Sequence, residues 1–141
     1  MSDTRVLDAA FHWPVRVYWE DTDAGGVVYY ANYLKFLERA RSEWLRAAGF
    51  EQDQLRDETG VVFVVRRVEV DYLSPARFND ALDVSVTLKE LGRASLSLTQ
   101  SIVRADTRLV AAQVTLACVD ATRFKPVKIP VPILQALNQA T

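Results

Sequence analysis

The stretch DTDAGGVVYYANYLKFLERAR, residues 21–41, is where this chain changes its period. Ahead of it, WPVRVYW (13–19) alternates, with Val15, Val17 and Trp19 on one side and Arg16 and Tyr18 on the other. That is the pattern of a half-buried strand, and Pro14 is tolerated at its start. Within the stretch, Asp21 and Asp23 stand one residue apart and Gly25-Gly26 follows. From about Tyr30 to Ala48 the period is helical: Tyr33, Leu37, Ala40, Trp44 and Ala48 recur at spacings of three and four, while Lys35, Arg39, Glu43 and Arg46 fall elsewhere. Gly49 is a natural stop just past the helix.

Beyond the helix, a short helical turn at 51–58 leads to Gly60. Four strand-like segments follow. VVFVVRRVEVDYL (61–73) sets Val68, Val70 and Tyr72 against Arg67, Glu69 and Asp71. ALDVSVTL (81–88), ASLSLTQSIV (94–103) and LVAAQVTLACV (109–119) alternate cleanly, and Ser74-Pro75, Leu91-Gly92 and Ala105-Asp106-Thr107 punctuate them. His12 falls before the first strand, and ILQAL near the end reads as one closing helical turn. One long helix cannot cover five strands on both faces. The expected fold is therefore α+β: a curved antiparallel sheet of about five strands wrapped around one long helix, with residues 1–141 as a single domain.

Composition narrows the chemistry. Seventeen basic and 18 acidic residues give a formal net charge of −1, without the basic excess that nucleic-acid binding leans on. No apolar run approaches the ~20 residues of a membrane span, and MSDTRVLDAAF lacks the regions of a secretory signal. The expected location is the cytoplasm. A single cysteine, Cys118, and a single histidine, His12, leave no internal disulfide, no multi-ligand metal site and no ready Ser-His-Asp triad. Neither a metal nor a bound cofactor is expected. A general base in this chain would be a carboxylate.

Asp21 and Asp23 can be read as caps, as calcium ligands or as catalysts. Aspartate near a helix start is commonly structural, but Asp23 lies well upstream of Tyr30, with two glycines between. A calcium loop beginning at Asp21 would have Gly25 and Asn32 where its fifth ligand and its bidentate Glu belong. Gly25-Gly26 also matches no phosphate-binding pattern. The catalytic reading combines the features. Glycines admit a ligand close to the backbone, free N–H groups at a helix start suit a developing oxyanion, and a carboxylate upstream can act as base or nucleophile on the polarised carbonyl.

VRVYWEDTDAGGVVYYANYLKFLERARSEWL closely resembles the signature of the hotdog-fold acyl-CoA thioesterases. It is nearest to the 4-hydroxybenzoyl-CoA thioesterase group and, within it, the small bacterial enzymes associated with the Tol-Pal system. FVVRRVEVDYLSPARFNDALDV and VDATRFKPVKIP extend the likeness over nearly the whole chain. The resemblance implies hydrolysis of short aliphatic or aromatic acyl-CoA thioesters to free acid and CoA. It implies Asp23 as general base or nucleophile and the backbone amide of Tyr30 as carbonyl-polarising donor, with Asp21 shaping the loop. It further implies Gly26, Val27 and Tyr29 as substrate-binding residues, and Arg93 where the family often places cations that meet the CoA phosphates, with Lys125 and Lys128 as similar point charges, though a solvated surface cation explains each of the three as well. Tol-Pal-associated members usually carry His where this chain has Tyr30, so no imidazole contributes there.

Hotdog relatives assemble at least as dimers with sites at the subunit interface, which implies a homodimer or homotetramer. Acyl carrier protein is a further candidate partner. Glu38 and Arg41 match the family's E-x-A-R, though a surface ion pair three residues apart on a helix explains them as well. Asp80 is expected to organise the turn after Pro75-Ala76, and Tyr33 to pack in the core. Two other readings remain open from sequence. One is an acyl-thioester hydratase or dehydratase, for which His12 is poorly placed; the other is a non-catalytic module that binds acyl carrier protein or an envelope complex.

Overall fold

A computed structural model describes residues 10–140. In chain order the elements are β1 (Phe11–Arg16), a 3-10 turn (Trp19–Asp21), α1 (Asn32–Ala47), α2 (Gln52–Thr59), β2 (Val61–Tyr72), β3 (Ala81–Leu91), β4 (Ser95–Arg104), β5 (Thr107–Asp120) and α3 (Val131–Ala140). The strands form one antiparallel sheet in the order β1-β3-β4-β5-β2. This is the five-stranded sheet and central helix expected from the sequence.

The apolar stripe of α1 does what its spacing requires. Tyr33, Phe36, Leu37, Ala40, Trp44 and Leu45 are buried, and the helix packs over β1, β3 and β4. Against it lie Leu82, Val84 and Val86 of β3 and Leu96, Leu98 and Ile102 of β4. Full burial of each such side chain contributes about 1.5–3 kcal/mol. Gly49 adopts φ 101° and ends the helix.

The helix touches β2 through Tyr33 and Tyr72 but leaves much of that edge strand uncovered. Val65, Val68 and Tyr72 stay exposed there, although Val68 and Tyr72 share the apolar side of the alternation with Val70. A bulge between Val65 and Arg67 also shifts the register of this edge strand. An open groove of about 300 Å³ remains between Leu34, Glu38 and Arg41 of α1 and Val65, Val68 and Val114 of the sheet.

Three further boundaries differ from the sequence reading. β1 ends at Arg16, because Tyr18–Asp21 closes into a turn, and Trp19 is 69% exposed and stacks on Phe78 instead of facing inward. His12 lies within β1, bonded to Asp83 at 2.7 Å. The closing helix runs for ten residues, anchored by Ile133 and Leu137. Glu38 and Arg41 make no ion pair among the described residues. Arg41 turns inward instead and donates from Nη1 to Oε1 of buried Gln100 at 3.1 Å.

Candidate active site

The segment between β1 and α1 sends its two carboxylates in opposite directions. Asp21 is 6% exposed. Its Oδ2 accepts the Tyr18 N–H at 2.8 Å, closing the 3-10 turn. Its carbonyl accepts the Tyr29 N–H at 3.0 Å and the Asn32 side-chain amide at 2.9 Å, tying the loop to the start of α1. Asp21 thus braces the loop. Neither carboxylate caps α1, whose N-cap is Ala31 with no side-chain bond.

Asp23 is exposed. Its N–H donates to the Val27 carbonyl at 2.9 Å, and its carbonyl accepts the Gly26 N–H at 3.0 Å, forming a tight turn. Gly26 sits at φ 83°, which favours glycine. Oδ1 of Asp23 accepts the Gly25 N–H at 2.8 Å, and a Cβ on Gly25 would lie 3.3 Å from that oxygen. Oδ2 accepts nothing among the described residues. The turn holds the carboxylate by one oxygen and leaves the other without a hydrogen bond among the described residues.

The amides of Tyr30 and Ala31 donate to no acceptor among the described residues, whereas those of Val28, Tyr29, Asn32, Tyr33 and Leu34 are all bonded. These two free donors sit at the start of α1, where the helix dipole adds to them. The Tyr30 ring is 61% exposed and packs on Tyr29 at 5.0 Å and edge-on to Tyr72 at 6.1 Å. Tyr33 lies 5.5 Å from Tyr72. Burial raises the Tyr33 phenol's pKa, with the Asp80 and Asp23 carboxylates adding to the effect and the Ala76 N–H and Arg104 opposing it. Asp23 and the start of α1 therefore share one neighbourhood.

The other expected residues divide into two places. Val27 is half-buried and bridges to Arg77, and Tyr29 is half-exposed, so both flank the Asp23 turn with Gly26. Arg93 and Lys125 lie elsewhere. The Asp23 loop joins the sheet ahead of β3, through the Val17 N–H on the Asp80 carbonyl and the Val28 N–H on Ala76. Arg93 follows the far end of β3, a strand roughly 35 Å long. There the Ile129 N–H donates to the Arg93 carbonyl and the Asp120 N–H to that of Lys125, so Arg93, Lys125 and Lys128 gather at one end of the sheet. A single chain does not bring them to Asp23.

Tyr72 escaped the sequence reading as a site residue. Only its alternation with Val68 and Val70 marked it, and that carries no sign of a site. Cys118 is buried, and its thiol is pushed up to about 11 by desolvation, which makes it a poor nucleophile. Among the described residues no three His, Cys, Asp or Glu side chains come together to hold a metal ion. No described helix is long and apolar enough to cross a membrane.

Comparison with known proteins places this geometry. The family described as Thioesterase-like superfamily matches residues 17–137. The acyl-CoA thioester hydrolase YbgC of Escherichia coli O6:H1 is 47% identical over 130 residues, covering 92% of this chain and 96% of that protein. Among solved structures, a probable thioesterase from Bartonella henselae superposes with a TM-score of 0.81 at 36% identity, covering 86% of this chain and 99% of that one. A crystal structure of a 4-hydroxybenzoyl-CoA thioesterase mutant complexed with 4-hydroxybenzoyl-CoA superposes with a TM-score of 0.85, covering 92% of this chain and 99% of that one. At 20% identity this last likeness speaks to the fold alone.

Proposed function

The chain belongs to the thioesterase-like superfamily and has the hotdog fold, and on that premise we propose that Asp23 and the Tyr30 amide are the working parts of its acyl-CoA thioesterase site. The protein is a hydrolase of acyl-CoA thioesters, in keeping with its YbgC relatives. The observation that carries the assignment is an exposed carboxylate with one uncommitted oxygen beside a helix start whose first amides are free.

In the proposed reaction the thioester carbonyl oxygen accepts the Tyr30 N–H. Asp23 either takes a proton from water as that water attacks the carbonyl carbon, or attacks the carbon itself to give a mixed anhydride that water then opens. In both routes the C–S bond breaks, the negative charge of the tetrahedral intermediate rests on the helix-start amide, and CoA leaves as a thiolate that takes up a proton. The acyl group, short aliphatic or aromatic, lies against Gly26, Val27 and Tyr29, with Tyr72 closing one side. We read residues 1–141 as one thioesterase unit working without metal or cofactor. The cytoplasm is the proposed location, because a lone buried thiol fits a reducing compartment.

The position of the basic residues favours a homo-oligomer. β2 runs from the Lys125 end of the sheet, where the Ala121 N–H meets the Gly60 carbonyl, to Tyr72 beside Tyr30. A copy paired antiparallel along β2 brings Arg93 and Lys125 of the partner subunit alongside Asp23, within reach of the CoA phosphates. Acyl carrier protein, which presents the same thioester, is a second proposed substrate carrier. The test is turnover of Asp23→Asn and Asp23→Ala on a panel of short-chain, long-chain and aryl-CoAs. Loss of about a hundredfold or more is expected, and near wild-type rates would overturn the assignment.

A further inference from the structure

The loop that carries Asp23 is fastened at both of its ends to one short strip of chain, residues 75–80, between β2 and β3. At the upstream end the Asn79 N–H donates to the Val17 carbonyl at 2.9 Å, and the Val17 N–H donates to the Asp80 carbonyl at 3.0 Å. At the downstream end the Val28 N–H donates to the Ala76 carbonyl at 2.8 Å, and Val27 bridges to Arg77. Val17, Val28 and Ala76 are all buried, so these fastenings are shielded from competing water. Asp23 and its turn therefore ride on the strip.

The strip itself is gripped from two further elements. From α1, the Tyr33 phenolic oxygen accepts the Ala76 N–H at 2.9 Å. From the end of β4, Nη1 of Arg104 donates to the Pro75 carbonyl at 3.2 Å and to Oδ2 of Asp80 at 2.9 Å, so one guanidinium nitrogen spans the strip from end to end. The same Asp80 oxygen accepts the Arg77 N–H at 2.8 Å, and the Asp80 N–H donates to the Arg77 carbonyl at 3.1 Å, closing the second half of the strip into a turn. A stiff, planar guanidinium holds two acceptors at a fixed spacing, which an ammonium on a flexible stem does not.

Ala76 is where the two halves of the site meet. Its carbonyl holds the Asp23 loop, and its N–H holds the first turn of α1 at Tyr33, three residues on from Tyr30. Any shift of the strip moves Asp23 relative to the Tyr30 amide. A misplacement of reacting groups by about 1 Å can cost on the order of a hundredfold in rate.

We propose that Tyr33 and Arg104 are positioning residues for thioester hydrolysis: they fix the 75–80 strip, and the strip sets the distance between Oδ2 of Asp23 and the Tyr30 amide. Neither side chain makes a hydrogen bond to Asp23 among the described residues, so both act through Ala76 and its neighbours. This rests on the Asp23 and Tyr30 assignment above and adds the residues that hold the two in register.

The test compares kcat and KM of wild type, Tyr33→Phe, Arg104→Met and Arg104→Lys on whichever acyl-CoA of the panel the wild type turns over fastest. Circular dichroism confirms that each variant is folded under the assay conditions. Leu55→Ala, at a buried position on α2 beside the Val61 end of β2, controls for lost stability alone. Tyr33→Phe and Arg104→Met are each expected to lower kcat about tenfold or more with KM within about twofold of wild type. Arg104→Lys keeps the charge and can reach one of the two acceptors, so it should recover part of the loss. Leu55→Ala should keep its kcat. The double variant Tyr33→Phe/Arg104→Met should lose less than the product of the single losses, because both act on one strip. Should Arg104→Met fail to fold, Arg104→Lys and Tyr33→Phe give the same reading with a smaller loss. Wild-type kcat in the folded Tyr33 and Arg104 variants, or an equal loss in Leu55→Ala, overturns the positioning role and leaves Asp23 and Tyr30 in place. A raised KM at constant kcat also overturns it, since the strip would then serve binding alone. Near wild-type turnover in Asp23→Asn, run in parallel, overturns the site itself and this proposal with it.

Discussion

The Ala76 N–H donates to the Tyr33 phenolic oxygen at 2.9 Å, a buried bond between the first turn of α1 and the loop that leads into β3. The same loop carries the Val28 N–H on the Ala76 carbonyl at 2.8 Å. The helix start, the Asp23 turn and the sheet are thereby locked together at one residue. Tyr33→Phe strands the Ala76 amide, which lies in a fully buried residue. A destabilisation of about 1–3 kcal/mol is expected in urea unfolding. An unchanged midpoint would show that the bond does not hold the site.

Asp23 supports little of the fold, since its side chain makes one exposed bond, to Gly25. Asp23→Asn should therefore lose activity without losing stability, with unfolding free energy within about 0.5 kcal/mol of wild type. A single turnover in ¹⁸O-water separates the two chemical routes. Label in the Asp23 carboxyl shows the nucleophilic route with water opening the anhydride at the aspartyl carbon, and label only in the product acid shows that water attacked the acyl carbon.

At Tyr30 the amide and the ring can be told apart. Tyr30→Ala and Tyr30→His keep the N–H and should hold kcat/KM within about tenfold of wild type. Tyr30→Pro removes it and should cost on the order of a hundred- to a thousandfold in kcat. Equal losses in all three variants would transfer the role to the side chain.

Asp80 gives the fold an acid-sensitive point. Burial is the largest single influence on its carboxyl and pushes the pKa up, but the Arg77 N–H at 2.8 Å and the Arg104 guanidinium at 2.9 Å together outweigh it and leave the pKa lowered. A carboxyl with a depressed folded pKa stabilises the protein above its unfolded value, near 3.9, and loses that contribution as pH falls through the folded value. Urea midpoints of the wild type should fall below about pH 4 more steeply than those of Asp80→Asn. Parallel curves would refute the coupling.

Much of this was legible in the sequence because it depends on period and on turn chemistry. The stripe from Tyr33 to Trp44, Gly49 as the helix stop, the alternation of β3 to β5 and the Asp80 turn all stand as read. What was not legible depends on which surfaces meet. Alternation along β2 groups Val68, Val70 and Tyr72 on one side but cannot say how much of that side α1 covers, and Val68 and Tyr72 stay exposed. Spacing on α1 suggested a Glu38–Arg41 pair, but Arg41 had a buried amide across the core to bond instead. That amide carried a trace in the sequence, since Gln100 interrupts the apolar face of Leu96, Leu98 and Ile102. Arg93 and Lys125 could be placed on turns, but not on the end of the sheet away from Asp23.

Thr22, at φ −100° and ψ 160°, is the one extended residue between the two acids. Successive residues of an extended chain face opposite ways, so acids two apart would share a side were the backbone straight. Here the turn that ends at Asp21 and the turn that begins at Asp23 rotate the chain on either side of Thr22, so that one acid goes in and the other out. The spacing works as a reading frame. Deleting or inserting a single residue between Tyr18 and Gly26 would misphase both acids at once, turning the brace toward solvent or the reagent toward the core. Length in this short segment is thus under tighter constraint than the identity of most of its residues.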